Sequence, residues 1–437
     1  VSGNLVTLRR HVFIGEGGTM RRARTTVALT GVVLAAGVGL PLQGTLTANA
    51  ATTTVAPHND LTTSGKAVIG PVSVPVPKGA TSATLNGITA ISATNAWAVG
   101  SQTSTSGVVQ PLIEHWDGTQ WRVTPAPSFH QGAALTAVGG RAGDLWATGE
   151  TSPQSFSGSG LILRYNGSVW TRVQLPKPPW LGFNSPTGVM LAGLDVVSDH
   201  DVWVTGQDVW SDGNLCGGQS VYVLHFDGKR WWQPNRSQLN NLLAWDAGTG
   251  ITELQPGKAL ITSVNYGTSP DCSGGGEYYV GGPGGQWNRK SLVAAGSING
   301  IGKVGSAIWA VGITYGGSLD TTGAVLAHWT GHGFKQKLIL AGDYATLNGI
   351  TAVGSVGYAV GGDVVPSAPS ISKPLIVATT GASESNWQVL FDAPDPHEPT
   401  GTSEQLNAVS SVDGRVFSVG TKTGSAGSPM PVAFQSQ

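Results

Sequence analysis

The chain has 437 residues, of which 40% are hydrophobic and only 11% charged, with 64 glycines and 25 prolines. That balance fits a turn-rich all-β protein and excludes a helical bundle or a disordered chain. The formal net charge is -1 and the basic residues are scattered, so no basic stripe points to nucleic acid.

The N-terminal stretch carries an address. Met20-Arg21-Arg22-Ala23-Arg24 is a basic start, Val27 to Leu40 an apolar run, and Ala48-Asn49-Ala50 a small-residue cleavage site. These are the three parts of a secretory signal peptide, so residues 20–50 are expected to be removed. An uncleaved anchor is the alternative, against which the run is short and closed by Pro41. Residues 1–19 read as an extension upstream of the true start, and residues 51–66, rich in Thr and Ala, as a flexible linker. The secreted remainder, 67–437, reads as one domain with no stable membrane insertion.

From Leu85 onward the chain repeats itself about seven times, which is the mark of a repeat architecture. The first signal is Leu85-Asn86-Gly87-Ile88. It returns at Leu135, Leu191, Ile251, Ile298, Leu347 and Leu406. A second apolar run ending in a small residue follows each copy, beginning at Trp97, Trp146, Trp203, Leu260, Trp309, Tyr358 and Phe417. Its consecutive apolar positions predict a strand buried on both faces.

A third strand runs into a tight turn at Asp117-Gly118, Asn166-Gly167, Asp227-Gly228 and Thr330-Gly331. Asx-Gly supplies the positive φ angles of a two-residue hairpin, so a fourth strand must return antiparallel. It opens on an aromatic at Trp121, Trp170, Trp231 or Phe334, with Trp287 and Trp387 in the divergent copies. Four-stranded sheets that repeat in this way bury their faces by stacking in a ring, which predicts a seven-bladed β-propeller of four-stranded antiparallel blades. The last copy lacks a fourth strand. The segment Pro71 to Lys78 resembles one, so an N-terminal strand, expected over Val72 to Val76, should complete the last blade and remove a free edge.

His115, His225 and His328 occupy one position in three copies, so the ring holds them apart, as scaffolding rather than a metal site. No metal or other cofactor is expected, and no catalytic residue can be assigned. The connections from second to third strand, and from fourth strand to the next blade, leave on one face and are long and irregular. Insertions collected on one face mark it as the binding face. Around the third and fourth copies those connections carry Trp180, Phe183, Trp210, Trp245 and Tyr266, with Asp208, Asp212, Asp246 and Asp271. Aromatic rings beside carboxylates suit a sugar surface, the rings against C–H faces and the acids accepting from hydroxyls; the alternative is that the rings pack the loops onto the rim.

Cys216 and Cys272 lie in Gly-rich connections of adjacent copies of an exported chain and are expected to form one disulfide, with a redox or metal role as the alternative.

In its paired strand and turn signals, from about Ala67 to the C-terminus, the chain resembles a kelch-like propeller. It is similar to the central domain of galactose oxidases and to secreted bacterial propellers. Gly361-Gly362 matches the glycine pair of kelch repeats, where other copies keep one glycine. The oxidase's copper ligands and Tyr–Cys crosslink have no counterparts here, so oxidase activity is not implied. The reading that results is a secreted, monomeric, non-catalytic propeller that binds a glycan or an extracellular protein through its long-loop face. Its alternative is an extracellular hydrolase, lyase or oxidase with a site at the axial mouth of that face.

Overall fold

The structure is a computed structural model, and it describes residues 69–155, 157–177, 187–210, 218–234, 238, 245–266, 274–315, 323–339, 345–365, 368–379, 387–392, 401–424 and 427–436. They form seven four-stranded antiparallel sheets. Strand β1 (Ile69–Val72) comes first. Blade 1 is β2 (Ala80–Ser92), β3 (Asn95–Ser104), β4 (Val109–Trp116) and β5 (Trp121–Val123); blade 2 is β6 (Ala133–Arg141), β7 (Asp144–Thr151), β8 (Gly160–Tyr165) and β9 (Trp170–Arg172). Blade 3 is β10 (Gly188–Ser198), β11 (Asp201–Trp210), β12 (Gly218–Phe226) and β13 (Trp231–Trp232); blade 4 is β14 (Asp246–Gln255), β15 (Lys258–Asn265), β16 (Gly276–Gly281) and β17 (Asn288–Val293).

Blade 5 is β18 (Gly296–Val304), β19 (Ala307–Thr314), β20 (Gly323–Trp329) and β21 (Phe334–Leu338). Blade 6 is β22 (Thr346–Val353), β23 (Val356–Val365), β24 (Ala368–Thr379) and β25 (Trp387–Asp392). Blade 7 is β26 (Ser403–Val412), β27 (Arg415–Thr423) and β28 (Pro429–Ser436), completed by β1 in the order β1-β28-β27-β26. The first strands of successive blades touch one another around a complete circle, β26 meeting β2. This is a seven-bladed propeller.

Closure by the N-terminal strand holds, with a shifted segment. Ile69 pairs with Ser436 and Val72 with Ala433, so the pairing ends where Val72 to Val76 was expected to begin. The Pro-Val alternation from Pro71 to Pro77 leaves the register open from sequence, and the outer edge tolerates its missing donors.

Each inner strand carries a one-residue bulge at the same place. The bulged residues are Asn86, Thr136, Ala192, Thr249, Asn299, Asn348 and Asn407, each lying between two in-register partners. Six of them turn a side-chain donor onto the carbonyl of the next blade. Asn86 donates to Leu135 O at 2.9 Å, Thr136 to Leu191 O at 2.7 Å and Thr249 to Ile298 O at 2.5 Å. Asn299 donates to Leu347 O at 3.0 Å, Asn348 to Leu406 O at 2.9 Å and Asn407 to Leu85 O at 2.8 Å. The Asn of the repeat is therefore an inter-blade stitch. A bulge frees it from its own ladder and aims it sideways.

Blade 3 has Ala192 at this point and cannot donate. Its seam with blade 4 is joined lower down, where Asp195 Oδ2 accepts from Glu253 N at 2.8 Å and Thr252 Oγ1 at 3.2 Å. The register also corrects the alignment of the fourth copy. Gly248, Thr249, Gly250 and Ile251 occupy the Leu-Asn-Gly-Ile positions, not Ile251 to Leu254. Elsewhere a Leu or Ile faces a Gly across the two inner strands, as Leu406 faces Gly420. A Cβ on Gly420 would strike the Gln405 carbonyl. In blade 4 the pair is exchanged, Gly248 facing Ser263.

The core is divided among the seams. One cluster joins Trp116, Leu112 and Trp121 of blade 1 to Phe417 and Ala433 of blade 7. Others join blades 1 and 2, 2 and 3, and 3 and 4. The fourth-strand aromatics serve these seams. Trp170 meets Trp97 of the preceding blade at 5.9 Å, Trp231 meets Trp146 at 5.9 Å, and Trp387 meets Trp309 at 5.6 Å. Edge-on rings at this distance add attraction beyond the area they bury.

Candidate functional site

The repeated histidines are held inside their own blades. His225 stacks on Trp203 at 3.9 Å, and its Nε2 lies 2.8 Å from Asp201 Oδ1. His115 stacks on Trp97 at 4.3 Å with its Nε2 3.0 Å from Asn95 Oδ1, and His328 leans on Trp309 at 4.8 Å. Blade 2 uses Arg164 instead, over the Trp146 ring at 4.5 Å and bound to Asp144 at 2.7 Å. The triplets Asn95-Ala96-Trp97, Asp144-Leu145-Trp146 and Asp201-Val202-Trp203 announce this brace, a signal the sequence reading passed over. These residues belong to the side of the short hairpin turns. Asp117 and Asp227 anchor those turns, each accepting from the two backbone N–H groups that follow the Gly.

The opposite face receives the longer connections. Just beneath it, where first and second strands end, acids occupy related positions in four blades: Asp208, Asp246, Asp363 and Glu404. All four are buried. Burial of a carboxylate costs free energy unless a cation or donors compensate it. Asp246, 0% exposed, is compensated fully. It accepts from Tyr279 Oη and Asn265 Nδ2, and from Arg289 Nε at 3.0 Å. Arg289 also reaches Glu277 at 3.5 Å. Burial raises the Asp246 carboxyl despite these partners, and burial with the Asp246 charge raises the Tyr279 phenol, so Tyr279 stays protonated as a donor. Asp363 pairs with Lys373 at 3.5 Å.

Asp208 differs. It is 2% exposed and has no ion pair among the described residues; the Ser220 hydroxyl and the backbone N–H groups of Asp208 and Ser220 donate to it, and burial still pushes it up to about 6. Both Asp208 and Asp246 were expected as exposed acceptors for a ligand. The structure encloses them between blades, because their strand positions point sideways into the seams.

Above Asp246 the chain turns sharply. Trp245 has a left-handed backbone at φ 51, unusual for a bulky residue. Its carbonyl accepts from Tyr266 N at 2.9 Å, which sets the two residues opposite each other at the mouth of blade 4, both half-buried. Tyr315, at the matching place in blade 5, is exposed. Trp210 ends β11 on the same face. The structure thus brings Trp245, Asp246 and Tyr266 together in blade 4, with Asp208 and Trp210 in blade 3. Trp180, Phe183, Asp212, Asp271, Cys216 and Cys272 lie outside the described residues.

Arg289, Tyr279 and Glu277, which seat Asp246, were not anticipated, and neither was Glu150. Glu150 is 4% exposed, and burial pushes it up to about 7. Among the described residues, no three His, Cys, Asp or Glu side chains converge as metal ligands.

No protein-family model matches the chain, and no curated protein does. Solved structures of similar fold exist at low identity. A structure described as "YCF48 bound to D1 peptide" is 13% identical, covering 84% of this chain and 96% of that one, with a TM-score of 0.48. The polysaccharide lyase Uly1 is 10% identical over 80% of this chain and 89% of its own, also at 0.48. The β-propeller domain of the Trilobed protease from Pyrococcus furiosus is 8% identical over 82% and 96%, at 0.45. They are likenesses of fold.

Proposed function

We propose that the protein is an exported, kelch-like propeller that binds a glycan or an extracellular protein through its long-loop face, at the mouth of blades 3 and 4. The observation that carries this reading is the Trp245–Tyr266 step over Asp246. A bulky residue is held in a left-handed conformation directly above a buried carboxylate with three side-chain partners. Strained backbone on a rigid base is characteristic of binding sites, where it pre-orders the contact surface. The acids that serve the base are spent on internal partners, which favours a seat for a ligand over a reacting centre.

The test is a screen of the protein, starting at Ala51, against a glycan array and a panel of extracellular proteins. Trp245→Ala should lose whatever ligand is found while remaining folded. Equal binding by wild type and Trp245→Ala would remove blade 4 from the site.

A further inference from the structure

We propose that Asn166, in the hairpin turn between β8 and β9, is a site of spontaneous deamidation, where the folded protein exchanges a side-chain amide for a carboxylate. This turn lies on the side opposite the long loops, so the site is separate from the binding face at blades 3 and 4.

The pair Asn-Gly occurs four times, at Asn86, Asn166, Asn299 and Asn348. Such a pair is reactive because the backbone nitrogen of a glycine reaches the asparagine Cγ with no Cβ in the way. The fold sorts the four into two kinds. Asn86, Asn299 and Asn348 are bulge residues whose Nδ2 groups are tied to Leu135 O, Leu347 O and Leu406 O of the next blade. Their glycines are pressed against that same blade. A Cβ on Gly87 would stand 2.7 Å from Ala137 Cα, and one on Gly349 would stand 3.2 Å from Val409 N. One on Gly300 would strike the Asn348 carbonyl. These three amides are held away from their own main chain.

Asn166 carries none of these restraints. Asn166, Gly167, Ser168 and Val169 are all exposed. A Cβ on Gly167 would come no nearer than 3.7 Å to Gly143. Among the described residues, neither Asn166 Nδ2 nor the Gly167 N–H has a hydrogen-bond partner. Leaving group and nucleophile are therefore both free. The Asn166 Oδ1 is bound instead, accepting from Ser168 N and Val169 N at 3.0 Å each. This turn folds the side chain back over the Asn166–Gly167 peptide bond. It also sets two N–H donors on the oxygen that gathers negative charge when Cγ is attacked.

The step balances with water alone. Gly167 N gives its proton to hydroxide and bonds to Cγ; Nδ2 takes a proton from water and leaves as ammonia. The cyclic imide that remains is opened by water, and no atom is oxidised or reduced. Opening at Cγ yields aspartate. Opening at the main-chain carbonyl yields isoaspartate, with the main chain longer by a carbon. Aspartate suits this turn, because Asp117 and Asp227 hold the same two N–H groups in blades 1 and 3.

The experiment incubates the protein in heavy-oxygen water at mildly alkaline pH, folded and in urea, and maps the four Asn-Gly peptides by mass spectrometry. In the folded protein the Asn166 peptide should lose ammonia and take up heavy oxygen about tenfold or more faster than the other three, which react only through local opening. In urea, where every pair is equally open, the four rates should converge. The Asn166 rate should rise with pH, because the attacking nitrogen must first lose its proton. Ion exchange should resolve an acidic form that grows with time in the wild type and is absent from Asn166→Asp. No conversion at Asn166 in the folded protein would overturn the inference, as would conversion of Asn86, Asn299 or Asn348 at the same rate. Growth of the same acidic form in Asn166→Asp would also overturn it, by placing the modification elsewhere.

Discussion

Asn407 Nδ2 donates to Leu85 O at 2.8 Å, joining residues 322 positions apart in the chain. It is the last of six equivalent stitches and the one that closes the circle. Removing it strands a carbonyl between two inner strands. Asn407→Ala should therefore cost about 1–3 kcal/mol, read from the urea midpoint. Ala192→Asn should act in the opposite sense, because it offers the missing donor to the Gly248 carbonyl, and gain about 0.5–1.5 kcal/mol. A stabilised Asn407→Ala would show that the stitches do not carry the ring.

Closure by β1 makes a second prediction. Its four residues cover only Ala433 to Ser436 of β28, but they complete the last blade and contribute Val72 to the core between blades 7 and 1. Deleting residues up to 78 should leave the β28 edge open and lower the melting temperature, with aggregation measurable by light scattering. A truncated protein that melts with the full-length one would count against closure as a source of stability.

A third prediction concerns pH. Glu114 lies between Leu112 and Trp116 on β4 and shares their direction, toward blade 7. It is 0% exposed, neither carboxyl oxygen has a hydrogen-bond partner among the described residues, and burial pushes it up to about 8 from an ordinary value of 4.5. Between those two values the folded state keeps a proton that the unfolded state has released. Stability should accordingly fall as pH rises through that window, by at most about 1.4 kcal/mol per pH unit, and level off above it. Glu150 acts in the same direction up to about 7. Glu114→Gln should flatten the profile and stabilise the protein near neutral pH; denaturant midpoints across the range give the comparison. An unchanged slope would mean that Glu114 is hydrated or partnered in solution.

The ring was legible in sequence because its signals are local. A Leu or Ile opening, a buried run ending in Gly, an Asx-Gly hairpin and a following aromatic each reflect one strand or turn, and they recur in order. The fourth copy was misread because its Leu–Gly pair is exchanged for Gly248 and Ser263, a compensation visible only across strands. The fate of Asp208 and Asp246 was hidden for a similar reason. Whether an acid near a strand end meets water or a neighbouring blade depends on which way the alternation points, and on partners such as Arg289 that lie 43 residues away. Glu150 gave no sign of itself. Its seam is made by two strands whose sequences do not announce each other.

The last prediction separates rings of the fold from rings of the site. Trp121 opens the fourth strand of blade 1, is 4% exposed, and packs against Trp116 at 5.9 Å within the seam that closes the ring. Truncating such a ring opens a cavity between two blades, so Trp121→Ala should cost about 3–5 kcal/mol. Trp245 stands at the mouth, half-buried, in a left-handed conformation that an L-residue adopts at a cost. Trp245→Ala removes contact surface without emptying a seam, and should change stability by about 1 kcal/mol or less while weakening a ligand of the long-loop face by about 1–3 kcal/mol. Trp245→Gly should relieve the backbone strain, raise the melting temperature slightly, and still lose binding. Stability gained together with binding lost is the signature of strain held for function. The two variants can be compared with Trp121→Ala by thermal melting and by one binding titration. If Trp245→Ala unfolds the protein as severely as Trp121→Ala, the ring at the mouth of blade 4 is a packing residue and the binding site must be sought elsewhere.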